Sequence, residues 1–311
     1  KKVPGAGWVY MVYDMRNRLV FTQDANLRQN NQWMATLYDV INRPVLTGIM
    51  TYTASPDALQ TTVNTLTTTP SSNPNPGLQT DIVLSSANTS GVVQAMRSIT
   101  LDTGFESATS GEFTAEIVSG PGGADGETSS VEGIVINKNP IPSGATFIAL
   151  TKTYYDNYEW TNKTYTTDWN SQLNAGSSQH AEAMPAQASS QVTGFITGTM
   201  VRVLQDPANL AAGPWLPTAN FYDEKGRVIQ ANSDNYKNGT DILTNQYDFT
   251  GKVLINYQVY NTPGVAQLRL KTEMVYDHGN RLLEVWKTIN DEISKKARIV
   301  KNDYDELGQL M

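Results

Sequence analysis

The chain of 311 residues has no cysteine and only two histidines. The first absence excludes a disulfide framework and a thiolate metal site. It leaves the compartment open, because many exported bacterial proteins also lack cysteine. The second leaves almost nothing for general-base catalysis. His180 lies in the polar stretch SSQHAEAM and His278 at a turn position of YDHGNR, where surface exposure accounts for both. No H-x-x-x-H or H-E-x-x-H spacing offers a zinc site. No apolar run approaches the roughly eighteen residues that cross a bilayer, so membrane insertion is not expected. Charged residues make up only 17%, the net charge is −7, and no basic stripe marks a nucleic-acid groove. The phosphate-binding patterns G-x-x-x-x-G-K-[ST] and G-x-G-x-x-G are missing as well. GPGGADG at 120–126 is too short and irregular for a calcium-binding repeat and lacks the D-x-D-x-D-G loop. The sequence therefore predicts no catalytic residue, no cofactor and no metal.

Tyrosine, threonine, valine, asparagine and glycine are plentiful, a composition for β-strands joined by tight turns rather than for helices. The length allows two modest domains. Charge is unevenly placed. Residues 1–50, 51–220 and 221–311 carry +3, −9 and −1, which marks an acidic insertion in a near-neutral frame.

An internal repeat organises that frame. Six segments align without gaps: YDMRNR from Tyr13, YDVINR from Tyr38, YDEKGR from Tyr222, YDFTGK from Tyr247, YDHGNR from Tyr276 and YDELGQ from Tyr304. The second position is always aspartate (Asp14, Asp39, Asp223, Asp248, Asp277, Asp305), whose carboxylate can accept backbone amides at the first corner of a type I turn. The fifth is Asn17, Asn42, Gly226, Gly251, Asn280 or Gly308, the two residue types that enter the left-handed region at least cost. A type I turn followed by a left-handed residue is a common hairpin loop. Runs such as WVYMVY before the turns and KVLINYQVY after them read as half-buried strands. The sixth position (Arg18, Arg43, Arg227, Lys252, Arg281, then Gln309) could bind a polyanion, or could cover a neighbouring tyrosine or pair with an aspartate. Successive tyrosines lie 25, 184, 25, 29 and 28 residues apart. Hairpins 1 and 2 (residues 1–50) and hairpins 3 to 6 (221–311, the last truncated) thus flank an insertion at 51–220. One hairpin alone is barely stable, so the units are expected to stack edge to edge. That would bring strands near 38–50 beside strands near 215–230.

The Y-D-x-x-G-R motif with its following apolar strand resembles the YD repeat of Rhs proteins and their relatives, whose hairpins wind into a hollow β-shell. Segments 22–48, 150–160 and 221–236 are similar to versions in surface proteins of Bacteroidetes-type bacteria, where a repeat-poor region lies near the start of the array. The resemblance spans residues 1–50 and 150–311. It implies an all-β fold, a stacked β-hairpin ribbon with an inserted, mostly β accessory region containing one short helix. It also implies a non-catalytic section of a larger secreted or cell-surface protein, whose shell encloses or displays another domain. The partners would be the remainder of that chain, with secretion machinery or a cell-surface partner besides. The opening KKVPGAGWVY, which has no signal-peptide pattern, and the closing YDELGQLM are expected to be cuts through that polypeptide.

Within the insertion, Ser55 as N-cap, Pro56 and Asp57 announce a helix near 55–64. Residues 67–79, with TTTPSSNPNPG, read as a flexible connector. Residues 82–120, punctuated by Gly91, Gly104 and Gly111, resemble a small β-coil recurring in secreted proteins of the same bacteria. GPGGADGETSS (120–130) reads as another loop. Further strands are expected over 131–204, with an exposed loop or brief helix at 170–192. Tyr155-Asp156 departs from the repeat, since Glu159 stands where glycine or asparagine belongs, which argues against a tight hairpin turn there. Tyr154, Tyr155, Tyr158, Trp160, Tyr165 and Trp169 are the candidate sugar-stacking surface, which would make the insertion a glycan-binding adhesin module. Cross-strand aromatic packing is the alternative.

Overall fold

The computed structural model describes residues 1–3, 7–68, 79, 81–86, 90–95, 98–109, 111–117, 128–175 and 180–311. The expected connector at 67–79 lies outside them except for Thr67, Thr68 and Gln79, and the loop at 120–130 except for Thr128, Ser129 and Ser130. The fold is all-β. Among the described residues no helix is long and apolar enough to cross a membrane. The chain divides into two compact units, Lys1–Lys152 and Thr153–Met311.

In the first unit β1 (Lys2–Val3) and β2 (Gly7–Trp8) form a short antiparallel pair. The main sheet then runs as a meander of β3 (Tyr10–Tyr13), β4 (Leu19–Gln23), β5 (Gln32–Tyr38) and β6 (Pro44–Thr51). Between β4 and β5 lies a one-turn helix, α1 (Ala25–Gln29), which the strand pattern does not foretell. Asp24 starts it by accepting the Leu27 amide at 2.9 Å.

Ser55 caps α2 (Pro56–Thr68) by accepting the Ala58 amide at 3.2 Å. The helix runs past the expected end at 64. Thr61, Thr62, Thr65 and Thr67 each turn their hydroxyl back onto the carbonyl four residues earlier, at 2.8–3.1 Å, so polar residues that read as connector are absorbed by the helix. Its apolar stripe supplies the driving force. Leu59 and Val63 are fully buried against Val12, Val20, Phe21, Trp33, Ala35 and Met50. Gln60 of the same helix meets the outer edge of β3. Its Oε1 accepts the Tyr13 amide at 3.0 Å and its Nε2 donates to the Tyr13 carbonyl at 2.6 Å, where a neighbouring strand would otherwise bond.

The segment expected to be a β-coil supplies β7 (Asp81–Leu84), β8 (Gly91–Ala95), β9 (Ser98–Leu101) and β10 (Phe113–Ile117). β7 pairs with β9 and β8 with β10, both in parallel. Each strand thus partners the next but one, as winding into a coil requires. Gly91, Gly104 and Gly111 all have left-handed φ, 89°, 94° and 112°. A hairpin of β11 (Thr128–Val131) and β12 (Ile134–Asn137) comes next. The long strand β13 (Thr146–Tyr155) then pairs through Thr146–Lys152 with the free edge of β6.

The second unit is an antiparallel succession of β14 (Ile196–Arg202), β15 (Trp215–Tyr222), β16 (Val228–Asp234), β17 (Thr240–Tyr247), β18 (Val253–Asn261), β19 (Leu268–Tyr276), β20 (Leu282–Ile289) and β21 (Ala297–Lys301). The stretch between β13 and β14 forms no strand among the described residues, only a 3-10 turn at Asn170–Gln172, so the break in the strands expected over 131–204 begins earlier than the loop or brief helix expected at 170–192. The reason lies in its bonding partners. Its backbone is held by glutamine side chains of the sheet. Gln230 accepts the Thr166 amide (3.0 Å) and donates to the Thr166 carbonyl (2.9 Å), while Gln246 accepts from Ala175 N (3.0 Å) and donates to Glu182 O (2.9 Å). Trp169, Leu173, Ala175 and Met184 pack onto Ile255, Tyr257 and Val259 beneath it.

Residues 51–220 are shared between the two units: α2 and most of β13 belong to the first and residues 153–220 to the second. One expectation needs correction. Strands near 38–50 do not pair with strands near 215–230. β6 has β5 and β13 on its two sides, and β15 has β14 and β16.

If α2 is integral to the first unit, Leu59→Ala should destabilise that unit by about 2–5 kcal/mol, the usual cost of emptying a buried leucine site. Denaturant unfolding measures this. An unchanged midpoint would mean that the helix only rests on the sheet.

Candidate functional site

The repeated turns are the chain's most regular chemical feature. At the first, Asp14 Oδ1 accepts the amides of Arg16 (3.0 Å) and Arg18 (2.9 Å), and Oδ2 accepts Arg18 Nε (2.7 Å). The backbone closes beneath it, Asn17 N donating to Asp14 O at 2.9 Å and Asp14 N to Arg18 O at 3.0 Å. Both backbone bonds recur at Asp39, Asp223, Asp248, Asp277 and Asp305. In each, the amide four residues on donates to Oδ1 at 2.8 or 2.9 Å. Asn17, Asn42, Gly226, Gly251, Asn280 and Gly308 all take left-handed φ, between 58° and 94°. Arg43, Arg227 and Arg281 place Nε on Oδ2 at 2.7 Å, and Lys252 places Nζ there at 2.7 Å.

The same cations reach the next hairpin. Arg18 lies over the Tyr38 ring (5.0 Å to the centroid), Arg227 over Tyr247 (4.7 Å), Lys252 over Tyr276 (5.4 Å) and Arg281 over Tyr304 (4.7 Å). Each of those tyrosines reaches back and donates its hydroxyl to the carbonyl just after the cation. Tyr38 bonds Leu19 (3.0 Å), Tyr247 Val228 (2.8 Å), Tyr276 Val253 (3.1 Å) and Tyr304 Leu282 (2.9 Å). Of the readings open for the sixth position, Arg18, Arg227, Lys252 and Arg281 adopt both structural ones: they pair with an aspartate and cover a tyrosine.

A further turn of this design is invisible in the sequence. Asp156 N donates to Phe195 O (3.2 Å), and Gly194 N donates to Asp156 Oδ1 (2.6 Å). Tyr222 bonds Ile196 O at 2.6 Å, and the Phe195 ring stacks on Tyr222 at 4.9 Å. Phe195 therefore stands where the other turns place arginine. Tyr155-Asp156 does open a repeat unit, but its tip is the whole excursion 157–193, so no local pattern could disclose it.

Electrostatics follow from this bonding. Burial alone raises the pKa of Asp248, but the Lys252 ammonium and amide and the Thr250 hydroxyl outweigh it and hold the carboxyl at about 2. Burial raises Tyr38, Tyr222, Tyr247 and Tyr276 above the ordinary phenol value. Glu182 bridges Lys225 and Arg227, whose hydrogen bonds lower its carboxyl. It pins one end of a strap, while the Ser189 amide, bonded to Tyr222 O at 2.8 Å, pins the other. Under the strap is a cleft of about 970 Å³ lined by Ile229, Asn245, Tyr247 and the turn at Asp223–Arg227. Four of the charges that line it, Glu182, Lys225, Asp223 and Arg227, are joined in one network of ion pairs.

The six candidate sugar-stacking aromatics do not form an open platform. All are half-buried. Tyr154 and Trp160 stack on each other at 4.3 Å, and Trp160 Nε1 donates to Thr197 Oγ1 at 3.2 Å. Tyr158 stacks on Phe221 at 5.1 Å and donates to Asn220 O at 2.6 Å, and burial, helped by Tyr222, pushes its pKa up to about 12. Tyr165 donates to Pro185 O (2.9 Å), and Trp169 packs 5.8 Å from Tyr257. Tyr155 ends β13 beside Asp156. These rings fasten the excursion to the sheet. His180 and His278 are both exposed, and among the described residues no group of three His, Cys, Asp or Glu side chains could hold a metal ion. No family model matches this chain, and no curated protein matches it.

Two outcomes are expected of the turns. Gly226→Val should cost about 1–3 kcal/mol, since φ is 76° and a Cβ would meet the Phe195 ring at 2.7 Å. An unaltered thermal midpoint would contradict this. Asp248 has a depressed folded-state pKa, so its contribution, about 2 kcal/mol, is present above the unfolded carboxyl pKa near 4 and is lost as pH falls through about 2. Asp248→Asn should accordingly destabilise the protein at neutral pH and much less at pH ~2, read from denaturation midpoints at both.

Proposed function

We propose that the chain is a non-catalytic, structural section of a larger secreted or cell-surface protein of the Rhs type. In this reading it contributes to a β-shell that encloses or displays another domain. The observation that carries the reading is the ladder of aspartate turns, in which the recurring side chains of each unit are consumed in holding that unit to itself and to its neighbour. An aspartate that accepts two or three donors and an arginine clamped between carboxylate and ring are poor reagents for acid–base chemistry. They are good fasteners for a repeating sheet. The partners in this reading are the remainder of the longer chain, with secretion machinery or a cell-surface partner besides. The reading requires no cofactor, metal or membrane span.

Electron microscopy and limited proteolysis of the full-length protein test this. A closed, hollow particle containing these hairpins, with a further domain shielded from protease, is the expected result. An open ribbon whose further domain is cleaved as fast as the same domain made alone would overturn it.

A further inference from the structure

The second unit contains another turn of the same chemistry, built from asparagine, between β16 and β17. Asn235 N donates to Gly239 O (3.0 Å), and Asn238 N donates to Asn235 O (3.1 Å). Asn235 Oδ1 accepts the amides of Lys237 (3.0 Å) and Gly239 (2.9 Å), and Asn238 takes the left-handed position at φ 58°. Asparagine stands at 235 for a local reason. Its Nδ2 donates to Asp241 Oδ1 (2.9 Å) and Asn261 O (3.0 Å), two acceptors that a carboxylate could not face. Glycine stands at 239, where most of the other turns carry arginine or lysine, because a Cβ there would lie 1.8 Å from Asn261 O. These constraints together create the only Asn-Gly pair in the sequence, with Asn238 exposed.

An exposed asparagine followed by glycine is chemically labile. The glycine amide nitrogen, on losing its proton, can attack the asparagine Cγ without hindrance from a side chain. The C–N bond to the side-chain amide breaks, ammonia leaves and a cyclic succinimide forms. Water then opens the ring at either carbonyl, giving aspartate or isoaspartate.

We infer that Asn238 is a latent deamidation site and that Asn235 guards it. The nucleophile of the first step is the Gly239 nitrogen, and its N–H is the group that Asn235 Oδ1 holds. Attack requires that bond to break and the turn to open. The guard matters because isoaspartate lengthens the backbone by one carbon, and a tight turn closed by two i-to-i+3 and i-to-i+4 bonds cannot absorb it. Conversion would therefore unpin the end of the β16–β17 hairpin, where Asp234 pairs with Thr240.

Incubating the folded protein at mildly alkaline pH, and a synthetic peptide of residues 232–244 beside it, tests this by mass spectrometry and isoaspartate-specific methylation. The peptide should convert at Asn238 while the folded protein stays intact. Asn235→Ala should speed conversion in the folded protein several-fold, the order expected for one lost hydrogen bond. Equal rates in the folded wild type and the peptide would overturn the inference, and this comparison stands even if Asn235→Ala does not fold. A folded Asn235→Ala that resists conversion as well as wild type would overturn it too.

Discussion

The carboxylate of the turn aspartate is the group on which the rest of the arrangement rests. A hairpin loop leaves several amides pointing inward with no strand to receive them, and burying them unpaired costs about 1–3 kcal/mol each. One aspartate oxygen answers two of these amides, and the other fixes a cation. The cation, once fixed, becomes the surface on which the next tyrosine lies. Local turn chemistry is thereby converted into contact between units. The aspartate side chains are accordingly sequestered, with relative exposures of 1% at Asp14 and 4% at Asp248. Removing one would leave both its turn and its neighbour's tyrosine without a footing.

Where the chain has no aspartate turn or neighbouring strand to offer, glutamine substitutes. Gln60, Gln230 and Gln246 each present a side-chain carboxamide that donates and accepts as a peptide group does, and each holds backbone that is not paired with a strand at that point. Gln230 is fully buried and Gln246 nearly so. Burial is tolerable because their polar atoms are matched.

What could be read from the sequence followed from how locally it is encoded. The six hairpins are legible because aspartate, the left-handed residue and the cation lie within one short segment, so the turn is specified by neighbours. The parallel pairing in the β-coil agrees with glycines paced along 82–120. The far end of α2 was not legible, since threonine is a weak helix former whose hydroxyls only help once Leu59 and Val63 have anchored the helix. The turn at Asp156 was hidden for the opposite reason, its two halves being 38 residues apart. The docking of Thr166, Ala175 and Glu182 depends on Gln230 and Gln246, whose bonds to them span 64 to 71 residues, and no periodicity announces such a contact. The aromatic residues at 154–169 stand out in the sequence, but their partners do not: Trp160 meets Tyr154, Tyr158 meets Phe221 and Trp169 meets Tyr257.

The tyrosine contacts also have a direction. Each hydroxyl seeks a carbonyl of the preceding hairpin, about twenty residues earlier in the case of Tyr38 and Leu19 or of Tyr247 and Val228. A chain made from its N-terminus therefore always presents a finished acceptor before the tyrosine that needs it has been synthesised. Every hairpin can dock on one already in place, by a short loop closure that costs little entropy. An array with this polarity can assemble in the order of translation, like a zip drawn from one end.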